Sequence, residues 1–250
     1  VERSPLFWPL RAAASAFTGF ESWPSVDDYD RAAGEEFPVR FREQPPRPRR
    51  RGRRGPVEIT SLYEGRIHLE GWIPTRPASW HDFFNLLVWL SFPRAKRQLS
   101  ARQAGTLAQW VTPGARGLPG RRTREQDGLA ILDEGGMLLL VEEAAAPEIQ
   151  AGLDARQGDA VADVIATGRA VALVFGHAVY EQLALGGPLV RAMTHTLSST
   201  GPLPANAEAR VALADQLLQA ALRQPESFCD PASFRSLPVD ERLLGGHVSA

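Results

Sequence analysis

Scarcity sets the first limits on this chain. Cys229 is the only cysteine, so no intrachain disulfide and no cysteine-rich zinc site can form, and a reducing cytoplasm is the expected compartment. Lys96 is the only lysine among 28 basic residues, leaving arginine as nearly the whole cationic complement. Apolar runs such as "LLVWL" fall far short of the ~18 residues a membrane-spanning helix needs, and a soluble protein is expected. "VERSPLFWPLRAAASAF" lacks a basic stretch followed by a continuous apolar core, so it does not read as a signal peptide. A formal net charge of -1 gives no global field toward nucleic acid or anionic membrane. There is no H-E-x-x-H, paired-cysteine signature, P-loop, G-x-G-x-x-G or G-x-S-x-G elbow. Gly114, Gly117 and Gly120 are merely periodic glycines in a loop.

What is present suggests one main domain. Residues 1–44 place aromatic anchors (Phe7, Trp8, Phe17, Phe20, Trp23) among proline, glycine and acidic residues, as in an N-terminal arm that docks on a core formed elsewhere. Residues 45–56, rich in arginine and proline, read as a solvated, disordered linker. Such a run could grip phosphates, but no aromatics are interleaved for base stacking, so nucleic acid is not the expected partner. Order is expected over 57–224. "VEITSLY" and "RIHLEGWIP" alternate and suggest a hairpin turning at Glu64-Gly65. Trp80 to Ser91 is too apolar all round for a surface helix and should be central. Pro93 suits the first position of a second helix, to about Trp110. "LAILDEGGMLLLVEE" suggests another hairpin, turning at Asp133 to Gly136. Further along, Pro147 to Ala166 reads as one or two helices, and "AVALVFG" as a buried strand turning at Gly176 into "HAVYEQLAL". "PLVRAMTHTLS" reads as a strand, Ala205 to Arg223 as an amphipathic helix, and 225–250 as an irregular tail. The class is α+β: a mixed sheet with β-hairpins packed against a helical layer.

The polar residues within these apolar elements are the candidates for chemistry. On a helix, His81 and Asn85 share a face, with Asp82 about 100° round and Trp89 further along the first sector. That suits a pocket with an aromatic wall and a polar rim. Alternatively, Ser79 and Asp82 fit a capping box, and His81 and Asn85 satisfy local backbone. His177 opens the helix after Gly176, with Glu181 one turn on; a positive helix end favours a neutral imidazole able to take a proton or bind a metal. The bland alternative is a helix-start histidine with a surface partner. Asp133 and Glu134 suit a turn for conformational reasons alone. His68, His195 and His247 are not candidates.

Three stretches, "WHDFFNLLVWLSFPRAKRQL", "DGLAILDEGGMLLL" and "VFGHAVYEQL", taken in that order, resemble an uncharacterised bacterial family, domain of unknown function 3025, from about Val57 to Leu185. Its pattern often ends the segment after the central helix in a histidine; this chain has Arg102 and Gln103 there, which argues against a four-ligand metal site. The resemblance brings no activity, substrate or cofactor.

The residues support two readings. One is a cytoplasmic enzyme of hydrolase type with a cleft between the central helix and the Gly176 junction. There His81 and His177 are acid/base groups or ligands to a divalent metal, and Asp82, Asp133 and Glu181 orient them or share the metal. Asn85 donates to substrate, and Arg121, Arg122 and Arg124 hold a small anionic substrate. The metal candidates are His81, His177 and Glu181. The other is a non-catalytic interaction or structural module whose polar clusters are caps and buried hydrogen-bond networks. Oligomeric state is left open. The readings part on whether His81 and His177 meet in an accessible concavity.

Overall fold

Short helices α1 (Arg11–Ser15) and α2 (Val26–Ala33) lead into strand β1 (Arg40–Glu43) in the computed structural model, which describes residues 4–44, 56–111, 114–118, 120–187 and 189–245. The linker expected at 45–56, Pro56 apart, lies outside the described residues, as does His247. A helical turn α3 (Tyr63–Gly65), continued by a π-helical turn Arg66–Glu70, precedes β2 (Trp72–Thr75). Helices α4 (Trp80–Ser91) and α5 (Pro93–Trp110) follow, then α6 (Arg124–Gly135) running straight into β3 (Gly136–Glu142). The remaining elements are α7 (Ala146–Asp154), α8 (Gly158–Ala166), β4 (Ala170–Val174), α9 (His177–Ala184), β5 (Arg191–Ser199), α10 (Ala207–Arg223), β6 (Arg235–Pro238) and α11 (Glu241–Leu244).

The sheet order is β4-β3-β5-β6, with β3 antiparallel to β4 and parallel to β5, and β6 antiparallel to β5 at the edge. β1 and β2 form a separate parallel pair. This is a single α+β domain with a mixed sheet. Met137 to Val141 and Ala170 to Val174 are fully buried, which is why they read as continuous apolar runs rather than alternating ones. Each large side chain removed from water there contributes on the order of 1.5–3 kcal/mol. α4 is central as expected: Phe83 to Trp89 are all buried. No helix among the described residues is long and apolar enough to cross a membrane.

The N-terminal segment closes this core. Trp8 donates its indole N–H to the Ala172 carbonyl in the middle of β4 (3.2 Å). Phe7 packs on Phe84 and Tyr180, and Phe17 and Trp23 pack on Phe83. Asp215 of α10 reaches the start of α5, accepting from the amides of Arg94 and Ala95 (3.2 and 2.8 Å). These are donors that the helix itself leaves unpaired, and Pro93 at the first position needs none.

Both expected hairpins are replaced by helical structure, and among the described residues no two strands are joined by a tight turn. In the first, Ile59 to Glu70 coils so closely that a Cβ on Gly65 would stand 2.0 Å from the Ile59 carbonyl oxygen, and Gly71 ends the coil with φ 70°. In the second, Thr123 and Gln126 form a reciprocal capping box that starts α6, so Asp133 to Gly135 form the last helical turn, not a β-turn. The stretch from Pro225, expected to be irregular, supplies β6 to the sheet edge and α11 to the core.

Candidate active site

α4 and α9 pack against one another, and α9 also meets α6, so three helix ends come together. His81 stands in the first turn of α4, His177 is the first residue of α9, and Glu134 lies in the last turn of α6. The meeting depends on Gly176, though not through its φ, which is an ordinary -65°. A Cβ there would lie 2.5 Å from both the Glu134 carbonyl oxygen and the Gly136 amide nitrogen. The missing side chain lets the β4–α9 junction press on the α6–β3 junction, where the amides of Phe175 and Gly176 both donate to the Gly136 carbonyl.

The two imidazoles face each other, Nε2 to Nε2, at 3.0 Å. A carboxylate oxygen of Glu134 stands 3.3 Å from His177 Nε2 and 3.9 Å from His81 Nε2. Among the described residues, this is the group of metal-ligating side chains whose donor atoms converge within 4.8 Å. His81 Nδ1 meets Glu181 at 3.0 Å, so Nε2 is the ring nitrogen that faces the centre. Exposure grades across the three: His177 is 4% exposed at its side chain, His81 30% and Glu134 50%. Burial pushes the His177 pKa down to about 3, against the pull of the Asp133 carboxylate, so its imidazole is neutral near pH 7. Its Nδ1 is buried and, among the described residues, makes no well-formed hydrogen bond; the Asp133 carboxylate, 3.9 Å away, and the Asp133 backbone are the groups that raise its basicity. Burial, then the charge of Asp133, raises Glu134 above the usual carboxylate range.

A second polar layer lies behind. Lys96 donates to Asp133 (2.5 Å) and Asn85 (3.0 Å), Asn85 donates to the Tyr63 hydroxyl (3.0 Å), and the ammonium sits 5.5 Å from the centre of the Trp89 ring. Burial alone would raise Asp133, but Lys96 and the neighbouring His177 outweigh it and hold the carboxyl below its usual range.

Several expected roles therefore change. Glu181 supports His81 from behind, and the third group facing both Nε2 atoms is Glu134. Asp82 is engaged by Arg76 through the backbone amide (2.6 Å) and two guanidinium nitrogens (3.0 and 2.8 Å). Ser79 caps α4 by accepting from the Asp82 amide (3.3 Å), without a reciprocal bond. Asn85 and Trp89 are buried in the layer behind, not on a substrate wall. Arg124 is held by Asp230. Arg102 braces α5 against Glu125 and the carbonyls of Leu222, Gln224 and Pro225. Arg121, Arg122 and Gln103 line an open pocket of about 300 Å³ that has Asp133 and Glu134 in its wall.

The sequence places Asp133 and Glu134 together in a turn, where they have no defined directions, and it offers no partner for Lys96. On a helix they diverge by about 100°, one inward to Lys96 and the other toward the histidines. The Thr123-x-x-Gln126 capping signal was sufficient to find this.

His195 lies apart, in β5 against Phe228 (ring centres 4.4 Å). Burial pushes its pKa down to about 4. Its folded-state pKa is below the unfolded ~6.5, so the unfolded chain binds the extra proton between those values and stability falls as pH drops through that window. We predict a His195→Gln variant with a flatter urea-stability profile from pH 6.5 to 4. The difference should be below ~1.4 kcal/mol per pH unit, because the ring is only partly buried. Parallel profiles would show that His195 is not desolvated.

Comparison with known proteins gives a family and no chemistry. A model described as Protein of unknown function (DUF3025) matches residues 54–241, three quarters of the chain, and the chain belongs to that family. No curated protein and no solved structure matches it.

Proposed function

We propose, from the geometry around His177, that this protein is a divalent-metal-dependent hydrolase. His81, His177 and Glu134 are the ligands. The observation that carries the reading is the convergence of the two Nε2 atoms and one Glu134 oxygen, at 3.0, 3.3 and 3.9 Å. With metal–donor distances of about 2.0–2.1 Å, neighbouring ligands stand about 2.9 Å apart around an octahedral ion and about 3.4 Å apart around a tetrahedral one. Two of the three separations fall between those values, and the third needs a side-chain adjustment of half an ångström in a half-exposed glutamate. The carboxylate behind His81 Nδ1 supplies the outer support that metal-bound histidines need to fix tautomer and orientation.

Three protein ligands leave a position for water, and an ion there would act as a Lewis acid and raise the fraction of hydroxide near neutral pH. The neutral state of His177 means no proton need be displaced from it. Glu134 belongs both to the metal position and to the pocket wall, and Arg121 and Arg122 would give a substrate held in that pocket a preference for anions. The same 3.0 Å contact favours a second reading, a metal-free pair in which His81 and His177 share one proton and act as acid and base. The non-catalytic reading retains Asp82 and Asn85, whose partners brace the fold.

The test is metal content and activity together. Protein stripped with chelator and reloaded should take up one zinc or cobalt ion per chain, and cleave nitrophenyl phosphates or carboxylates only when loaded. Cleavage unaffected by chelator would favour the proton-sharing pair. No metal uptake and no cleavage would leave the structural module.

A further inference from the structure

Three large apolar side chains left exposed by the fold, Tyr63, Trp110 and Leu118 (42, 41 and 45% exposed), line one pocket. Singly exposed apolar residues are ordinary, but several gathered in a concavity mark surface that a ligand covers. The pocket also carries Arg121 and Arg122, and among the described residues neither has an ion-pair partner. Arg124, two positions on, is occupied by Asp230, so the two free guanidiniums are not simply part of an arginine-rich surface already neutralised. Gln103 and Gln126 add uncharged hydrogen-bonding groups, and Asp133 and Glu134 complete the wall on the side of the histidines. The volume, about 300 Å³, is that of about ten waters at ~30 Å³ each, which suits one ring or a short acyl chain with a charged group.

We infer that the pocket binds an amphipathic oxyanion. An aryl or short acyl body lies against Trp110, Leu118 and the Tyr63 ring, and a phosphate or carboxylate is held by Arg121 and Arg122. The inference deepens the hydrolase reading and rests on it for one point only, that the bond to be cleaved is presented at the Glu134 end. Binding itself needs no metal. Neither half of the pocket accounts for the ligand alone: a wholly apolar molecule would leave two arginines unneutralised, and an inorganic anion would leave the aromatic wall uncovered.

Calorimetric titration of the full chain with phenyl phosphate, phenylacetate, inorganic phosphate and benzyl alcohol tests this, with and without chelator. At least one phenyl oxyanion should bind about tenfold or more tighter than either inorganic phosphate or benzyl alcohol, a gain expected from adding aromatic contact to a charge-assisted one. Trp110→Ala, and separately the Arg121→Ala/Arg122→Ala pair, should each remove most of that advantage. Phenyl oxyanions binding no tighter than their two halves would overturn the inference, as would unchanged binding in both variants. Retained binding in a protein that takes up no metal would sink the metal reading and keep the pocket. Metal uptake with no phenyl-oxyanion binding would do the reverse.

Discussion

Chelated His177→Leu protein should be at least as stable as chelated wild type, and it should lose metal binding. The imidazole is almost fully buried, its Nδ1 makes no well-formed hydrogen bond among the described residues, and burial holds its pKa near 3. A buried polar atom without a partner costs about 1–3 kcal/mol, and leucine fills a similar space without one. Against that, removing one of three ligands should weaken metal affinity by at least ~100-fold, more than the 10–100-fold typical of losing an outer partner. Glu181→Gln is the milder control: stoichiometry is kept and affinity falls within that range. With metal at 1,000 times its Kd the wild type should gain ~4 kcal/mol on loading, and His177→Leu no more than ~1.4 kcal/mol if its affinity falls 100-fold or more. Urea unfolding with chelator and then with zinc checks both halves. A loss above ~2 kcal/mol in the chelated variant would make His177 a packing residue and end the site reading, since large losses come from broken buried networks.

That expectation rests on a feature the sequence carried openly. His81 and His177 were legible because each opens an apolar helix where a charged or polar side chain has no packing reason to be, and apolar periodicity located both helices to within a residue or so. The strand-Gly-helix junction at Gly176 was legible too, although for a different physical reason. The sequence suggests a turn glycine, and it serves as a close-approach residue against Glu134 and Gly136. What periodicity could not resolve was the type of short apolar runs flanked by Gly. "LAILDEGGMLLL" satisfies a hairpin pattern and a helix-to-strand pattern equally, and only the capping box at Thr123 and Gln126 decides between them. The error moved two carboxylates at once, since turn and helix aim Asp133 and Glu134 differently. Asp82 shows the complementary limit. Its partner Arg76 lies outside the helix, and a loop contact of that kind has no periodic signature.

Lys96→Met should be strongly destabilising. Lys96 is 3% exposed, its ammonium bonds Asp133 and Asn85, and the Trp89 face covers it. Replacing it leaves the Asp133 carboxylate inside the protein with no cation, and breaking a buried pair from one side costs about 3–5 kcal/mol. Arginine should not rescue it, because a planar fork does not fit where a compact ammonium meets two oxygens. That difference explains why a chain that otherwise uses arginine for its basic residues has a lysine here. The double variant Lys96→Met/Asp133→Leu removes both charges and should recover most of the stability, measured by urea unfolding at pH 7. If the pair serves only to fix the fold, the double variant should bind zinc as the wild type does. If it also holds His177 and Glu134 in place, stability returns and zinc affinity stays low. A Lys96→Met variant that unfolds within ~1 kcal/mol of wild type would mean that Asp133 takes up a proton or reaches solvent when its partner is lost, and the layer behind the histidines would then be a loose one.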